Sequence, residues 1–412
     1  MHKGFKIQQN LKAIKTPFSK KDCRILGLLI VFISFIQCRP WMTTSLLSTV
    51  AHGFIIGVSS FIFILYSYKS LSIKNKTYWP LYLYLFWITL CSLIAFTELY
   101  NDSYIRVFIQ HVSGTLVISS IVFLARPKIL MYIMKYWKCL SVPLSLVVLL
   151  LLETLPPFGF YISILQIFLL LFSILNKKTK ILVFVLFLFT MATSIFAEGN
   201  SNRAAFIKYG TAFVFGLLPY FQYFLTKWVL RTFQIICFLS PLLLIHVAIS
   251  GGLNFFDTIE NQDKKNEMVQ DTRTLIYSEA IVSAYDNNYI ILGRTPARGY
   301  DSNFELHRSG VPERSAEVSA VNIFTWYGLI GLILYSILLW HITSVGLYKS
   351  NNIYIKIISM FLCFRYVFAW IEDANKLDST NITLWIMMSM CLLPYFRLMN
   401  NKKMEKFIYS KM

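Results

Sequence analysis

The chain has 412 residues, 56% of them hydrophobic and 17% aromatic, and its mean hydropathy is +0.58. An ordinary soluble domain holds roughly 45–50% apolar residues, so that class is excluded, and the composition is that of a polytopic helical membrane protein. The formal charge of +19 would suit nucleic acid if it formed one stripe or tail. The cations instead fall in short connections between apolar runs, which is the pattern of membrane orientation, and no nucleic-acid partner is expected.

A helix needs roughly 20 mostly apolar residues to cross the hydrocarbon. About twelve segments qualify, near 25–40, 44–67, 78–97, 105–125, 138–155, 158–175, 180–197, 204–226, 230–249, 319–346, 353–371 and 380–398. The expected fold class is therefore all-α, a polytopic transmembrane helix bundle of about 12 spans with one large extracytoplasmic loop that contains an amphipathic helix. Residues 1–24 form a basic tail, 25–249 a bundle of about nine spans, 250–318 the loop, 319–398 about three more spans and 399–412 a second tail.

The tail before the first run carries Lys3, Lys6, Lys12, Lys15, Lys20, Lys21 and Arg24. That run ends in Gln37-Cys38-Arg39-Pro40-Trp41 rather than in the small-residue exit of a cleavable signal, so it reads as a retained span. Further along, Pro156-Pro157 and Gly159 separate 138–155 from 158–175. They mark either a tight re-entry turn or one broken element. The seven cysteines lie in or beside apolar runs with no paired spacing, so they read as small hydrophobes, and neither disulfides nor a metal site is expected.

Charge supplies a second check on the topology. With the amino terminus inside, the cytoplasmic connections carry Lys69, Lys74 and Lys76; Arg126, Lys128, Lys135 and Lys138; Lys177, Lys178 and Lys180; Lys227 and Arg231; Lys349 and Lys356; and the terminal Arg397, Lys402, Lys403, Lys406 and Lys411. The opposite side shows Glu98, Asp102, Glu153, Glu198, Glu372, Asp373 and Asp378. Both termini are thus expected in the cytoplasm and the loop outside. Of the ionisable residues at membrane depth, Lys208 is expected to line the bundle interior or a wet cleft. His52, His111, His246 and His341 read as packing residues.

The loop has two halves. Residues 254–270 are acidic and amidic, a solvated connector. From Asp271, the positions Leu275, Ile276, Ala280, Ile281 and Ala284 recur at helical spacing and predict an amphipathic helix ending near Tyr285-Asp286-Asn287-Asn288. Next comes the turn Gly293-Arg294-Thr295-Pro296-Ala297-Arg298-Gly299, whose glycines and proline let backbone approach a ligand, with Asp301 and Ser302 directly after it. Arg273, Arg294, Arg298, Arg308 and Arg314 concentrate guanidinium groups in a stretch where lysine is absent, a bias that points to planar, bidentate recognition of phosphate or carboxylate. Two readings remain open: a bound diphosphate, or a surface turn whose arginines pair with Asp286, Asp301, Glu305, Glu313 and Glu317. Arg203, in Asn202-Arg203-Ala204-Ala205 at the outer end of a span, either joins the same cavity or anchors the interface.

No Walker or dinucleotide pattern is present. The glycines of Trp326-Tyr327-Gly328-Leu329-Ile330-Gly331 read as helix-packing positions rather than a phosphate cradle. An outward site lacks ATP and nucleotide sugars, so a reaction there needs a donor already activated and delivered through the membrane. No cofactor is expected.

The loop before the last three spans, the Asn202-Arg203-Ala204-Ala205 start of a mid-chain span, Trp326-Tyr327-Gly328-Leu329-Ile330-Gly331, and the pair Thr272-Arg273-Thr274-Leu275-Ile276-Tyr277 with Gly293 to Gly299 together resemble the bacterial O-antigen polymerase/ligase superfamily. The loop is similar to that of its polysaccharide polymerase branch. The likeness is specific over the carboxy-terminal half and is one of hydropathy alone before it. It implies a multi-pass protein of the bacterial inner membrane that joins undecaprenyl-pyrophosphate-linked repeat units of O-antigen, capsule or exopolysaccharide by inverting, metal-independent glycosyl transfer at the outer face.

Under that resemblance Arg203, Arg273, Arg294, Arg298, Arg308 and Arg314 would hold the pyrophosphate, and Asp301, Glu317 or His307 would serve the acceptor hydroxyl. The implied partners are the lipid-linked oligosaccharide, membrane lipid, a chain-length regulator and a flippase. The ligase pattern has a histidine just before the glycine-bearing span, where this chain has Glu317, Ser319 and Asn322. That departure favours a polymerase over an O-antigen ligase acting on lipid A core. A lipid-linked oligosaccharide flippase is the reading from another class, and internal repeats would be expected of it.

Overall fold

A computed structural model describes residues 18–36, 46–71, 76–99, 102–150, 159, 162–196, 200–249, 272–302, 313–372 and 375–411. The described residues are overwhelmingly helical. In order, the helices are α1 (Lys20–Ile36), α2 (Leu46–Ser70), α3 (Trp79–Ala95), α4 (Asp102–Leu116), α5 (Pro127–Leu150), α6 (Leu165–Leu170), α7 (Lys177–Phe196), α8 (Asn200–Leu217), α9 (Lys227–Ile249), α10 (Thr272–Asp286), α11 (Ser319–Tyr348), α12 (Ile353–Phe368), α13 (Ser379–Leu392), α14 (Pro394–Arg397) and α15 (Asn401–Lys411).

Among the described residues six helices are long and apolar enough to cross a membrane, at 53–70, 76–98, 177–195, 204–223, 227–246 and 319–348. About twelve spans were expected, and the described residues do not confirm that count. Residues 158–175 are the clearest difference. Among their described residues they hold the six-residue α6 and a 3-10 turn at Phe172–Ile174, with Leu165 to Leu170 wholly inside the protein. A short apolar run buried by its neighbours reads in sequence like half a span, because periodicity cannot separate the two. Upstream, α5 starts at Pro127, well before the expected 138, because proline is preformed for the first helical turn. The cations Lys128, Lys135 and Lys138 therefore lie on a helix rather than in a connection.

The bundle is apolar on its outside as well as its inside. Phe54, Phe86, Leu242 and Leu243 are each more than three-fifths exposed, a surface that lipid rather than water would cover. Inside, α11 packs on α3, α12 and α13, and α1 packs on α5. Local signals start several helices. Ser19 and Asp22 form a reciprocal capping box, with each backbone N–H donating to the other's side chain at 2.8 and 3.1 Å. Asn352 and Asp378 cap α12 and α13 through the N–H groups of Ile355 and Asn381.

The two ends of the bundle differ. At one end His341 meets the Thr77 carbonyl, Asn351 donates to the Arg397 carbonyl, and α15 packs under the start of α12. This end bears Lys69, Lys76, Lys349 and the α15 lysines. At the other end of α3 lie Glu98, the loop turn and α10.

Candidate functional site

The described part of the loop is built on α10. Ile276, Tyr277, Ala280 and Ala284 face the protein and are at most 5% exposed, so the predicted helix is present with Ile276, Ala280 and Ala284 on its inner face as expected, while the side chain of Leu275 is not among those described. Ile281 departs from it, pointing outward at 41% exposure beside Val282 and Tyr285. Tyr277 donates its hydroxyl to the Trp370 carbonyl, fastening α10 to the end of α12.

The chain then turns through Asn288, at φ 57°, and Tyr289 to Leu292 fold into a break in α11. Gly328 sits at that break with φ 67° and ψ −170°. The Leu329 N–H donates to the Ile290 carbonyl at 2.9 Å, and the Arg294 N–H to the Thr325 carbonyl at 2.7 Å. Gly328 was expected to be a helix-packing glycine, and that expectation is corrected: it interrupts the helix so that loop backbone can take over the freed hydrogen-bonding groups. A side chain at Gly328 would overlap the Ile291 carbonyl, and one at Gly293 the backbone of Trp326. The indole N–H of Trp87, on α3, donates to the Tyr327 carbonyl at 2.9 Å, covering another of the freed acceptors.

This threading sets Arg294, Arg298, Asp301, Glu313 and Arg314 together. Tyr300–Asp301 (β1) and Glu313–Arg314 (β2) form a short antiparallel pair, Tyr300 opposite Arg314 and Asp301 opposite Glu313, an element the sequence reading does not contain. Arg294 Nη1 donates to Asp301 Oδ1 at 2.7 Å and to the Gly299 carbonyl at 3.0 Å, and its Nη2 lies 3.5 Å from Glu313 Oε1. Arg298 donates to the same Glu313 oxygen through Nε at 2.9 Å and through Nη2. Glu313 Oε2 accepts from the Gly299 N–H at 3.3 Å. Arg294 and Glu313 side chains are only 11% and 12% exposed, whereas Asp301 is 39% exposed and forms the open rim.

Asp301 is further held by α10. Its Oδ2 accepts from Asn287 at 2.8 Å and from Ser283 at 3.3 Å, and its own N–H donates to Ser283 Oγ at 2.9 Å. Tyr289 donates to Ser283 at 2.7 Å, and burial pushes its phenol above the ordinary tyrosine value. The Arg294 guanidinium lies 5.8 Å from the Tyr289 ring centre.

Of the two sequence readings for the arginines, pairing with carboxylates of the loop is what Arg294 and Arg298 do, with Asp301 and Glu313 as partners. Arg314 is on β2 beside them, and Glu317 is exposed at the bend before α11. His307 and Arg308 lie outside the described residues. Arg203 and Arg273 fall within α8 and the first turn of α10, but their side chains are not among those described.

Several residues that seat this site were not singled out for it. Thr295 donates to Glu98 Oε2 at the end of α3. His111, read as packing, is stacked on Trp326 with ring centres 3.8 Å apart, its Nδ1 3.0 Å from the Pro296 carbonyl and its Nε2 3.3 Å from Ser315 Oγ. Asn322 accepts from the Ala316 N–H at 2.8 Å and donates to the Ala316 carbonyl at 2.7 Å. The one signal available for these was that Glu98 and His111 flank the same outward connection. Their partners are about two hundred residues away in the chain, as the separations of 197 and 185 show.

Lys208 is buried, as expected for a cation at that depth, with Nζ 4.7 Å from the Phe368 ring centre. Among the described residues no group of three or more His, Cys, Asp or Glu could hold a metal ion. No family model matches the chain, and neither a curated protein nor a solved structure is similar to it.

Proposed function

We propose that the protein is a surface-polysaccharide polymerase, a glycosyltransferase that joins lipid-linked repeat units at the outer face of the bacterial inner membrane. The observation that supports this most directly is the seating of the arginine–carboxylate cluster on an apolar bundle, at the end opposite the lysine-rich connections. A donor with a polyprenyl tail would lie along the bundle and bring its diphosphate to the bundle's end. With the lysine-rich end inside by the positive-inside rule, the cluster faces outward.

In the proposed reaction an acceptor hydroxyl attacks the anomeric carbon of the donor sugar with inversion. The glycosidic bond forms as the bond to the diphosphate oxygen breaks, and the electron pair leaves with the diphosphate. Guanidinium groups in a partly dry setting stabilise that charge; Arg298 and Arg314 of the described cluster are assigned this task, with Arg203, Arg273 and Arg308 completing the set. Asp301, or else Glu317 or His307, takes the hydroxyl proton or orients the hydroxyl. Arg294, clamped between Asp301 and Glu313, positions the carboxylate. The undecaprenyl-pyrophosphate oligosaccharide is the substrate, and a flippase and a chain-length regulator are the partners of such an enzyme.

The test is the glycan profile of a deletion strain, read together with the carrier-linked pool. Loss of the gene is expected to collapse long chains to single repeat units. Unaltered long chains would remove the proposal, and long polymer accumulating on the carrier would replace it with the ligase. Topology reporters placing 293–314 in the cytosol would also overturn it.

A further inference from the structure

A cavity of about 830 Å³ opens at the lysine-rich end of the bundle, far from the arginine cluster. Its roof is α15. That helix turns Met404 and Ile408 inward, both 0% exposed, and its open face carries Lys402, Lys403 and Lys406. Asn400 caps it through the Lys403 N–H at 2.9 Å, and Asn401 accepts from the Ile353 N–H at 2.9 Å, so its seat on α12 is defined. Ile174 and Leu175, from the turn after α6, form an apolar floor.

The polar side chains of the cavity are chiefly ammonium and phenol, with one carboxylate and one serine. Lys402 and Lys406 stand on its rim, and Tyr220, Tyr354 and Tyr409 bring phenols to its wall. The one carboxylate among the lining residues, Glu405, accepts from the Tyr354 hydroxyl at 2.8 Å. Beside the opening, Tyr220, Phe221, Tyr223 and Trp228 are all at least half exposed, an aromatic belt of the type found where hydrocarbon meets headgroups. An apolar floor, two ammonium groups and the exposed phenols of Tyr220 and Tyr409 at that depth match the phosphodiester headgroup and upper chains of a glycerophospholipid. The volume falls in the range of small-molecule sites, roughly 300–1,000 Å³.

We infer that this cavity binds an anionic phospholipid from the adjoining leaflet, with Lys402 and Lys406 on its phosphate and the tyrosines around its headgroup. The site is independent of the polymerase reading and stands whether or not that reading holds.

The experiment uses the full chain in neutral detergent, titrated with phosphatidylglycerol or phosphatidylcholine and read by native mass spectrometry. Phosphatidylglycerol is expected to be retained and phosphatidylcholine not. The double variant Lys402→Gln/Lys406→Gln should bind phosphatidylglycerol about thirtyfold more weakly, given the effect of each surface cation on anionic lipid. Lys349→Gln/Lys403→Gln makes the same charge change at the same end but outside the cavity, and, with solvent and salt screening those exposed charges, should lose less than roughly threefold. Lys402→Arg/Lys406→Arg should retain binding. Equal loss in the two glutamine pairs, equal binding of phosphatidylcholine, or displacement of the lipid by millimolar inorganic phosphate would each overturn the assignment.

Discussion

The two ends of this bundle handle positive charge in opposite ways. At the loop end, Arg294 and Arg298 are mostly buried and pinned by Asp301 and Glu313 through short, directional contacts. At the other end, Lys402, Lys403 and Lys406 lie open along one helix face with a single glutamate among them. Guanidinium presents a rigid fork that suits a fixed geometry in a dry setting, whereas ammonium is a hydrated point charge that suits a fluid, variable partner. The loop end is therefore built for positioning and the lysine end for field, and substitutions should separate them.

The largest effect is expected at the helix break. Gly328→Ala puts a methyl group against the Ile291 carbonyl in a left-handed backbone conformation, and should destabilise the protein by about 2–4 kcal/mol. Thermal unfolding in detergent measures it, and a variant as stable as the parent would mean the loop is not threaded there. Next is Glu313→Gln, which leaves two guanidinium groups without their shared carboxylate. With partial exposure discounted, the cost should be about 1–3 kcal/mol, and under the proposed polymerase function glycan chains should shorten. The same charge change at Glu405, on the open lysine face, should leave chain length unaltered.

Smaller again is Asn322→Ala. It strips both hydrogen bonds from the Ala316 peptide and should cost about 1–2 kcal/mol. Trp87→Phe keeps the ring but removes the donor to the Tyr327 carbonyl, and should cost about 0.5–1.5 kcal/mol. Both are read by the same unfolding assay. If Trp87→Phe proved the more damaging of the two, the cover over the helix break would matter more than the anchor at its start.

Arg294→Lys tests the loop end from the functional side. It keeps charge but cannot reach Asp301, Glu313 and the Gly299 carbonyl together, so a polymerase that relies on this clamp should lose at least about tenfold in chain extension. Full activity in an extension assay on lipid-linked oligosaccharide would show that charge alone suffices.

What was legible in the residues was what depends on local period and composition. The apolar runs announced membrane helices, and Ile276, Ala280 and Ala284 announced α10 and its buried face, because neighbours three and four apart share one side of a helix. The nearness of Arg294, Arg298 and Asp301 was also readable, since they lie within one short turn. Residues 158–175 could not be told from a span, because an apolar segment looks the same whether lipid or protein surrounds it. Gly328 could not be recognised as a break, because its conformation is imposed by Ile290 to Gly293, some thirty-five residues earlier in the chain. Glu313 as the partner of Arg298, Glu98 under Thr295 and His111 against Pro296 were likewise decided by the tertiary structure. A buried polar group must find a partner wherever the fold brings one, and no local rule of sequence says where that is.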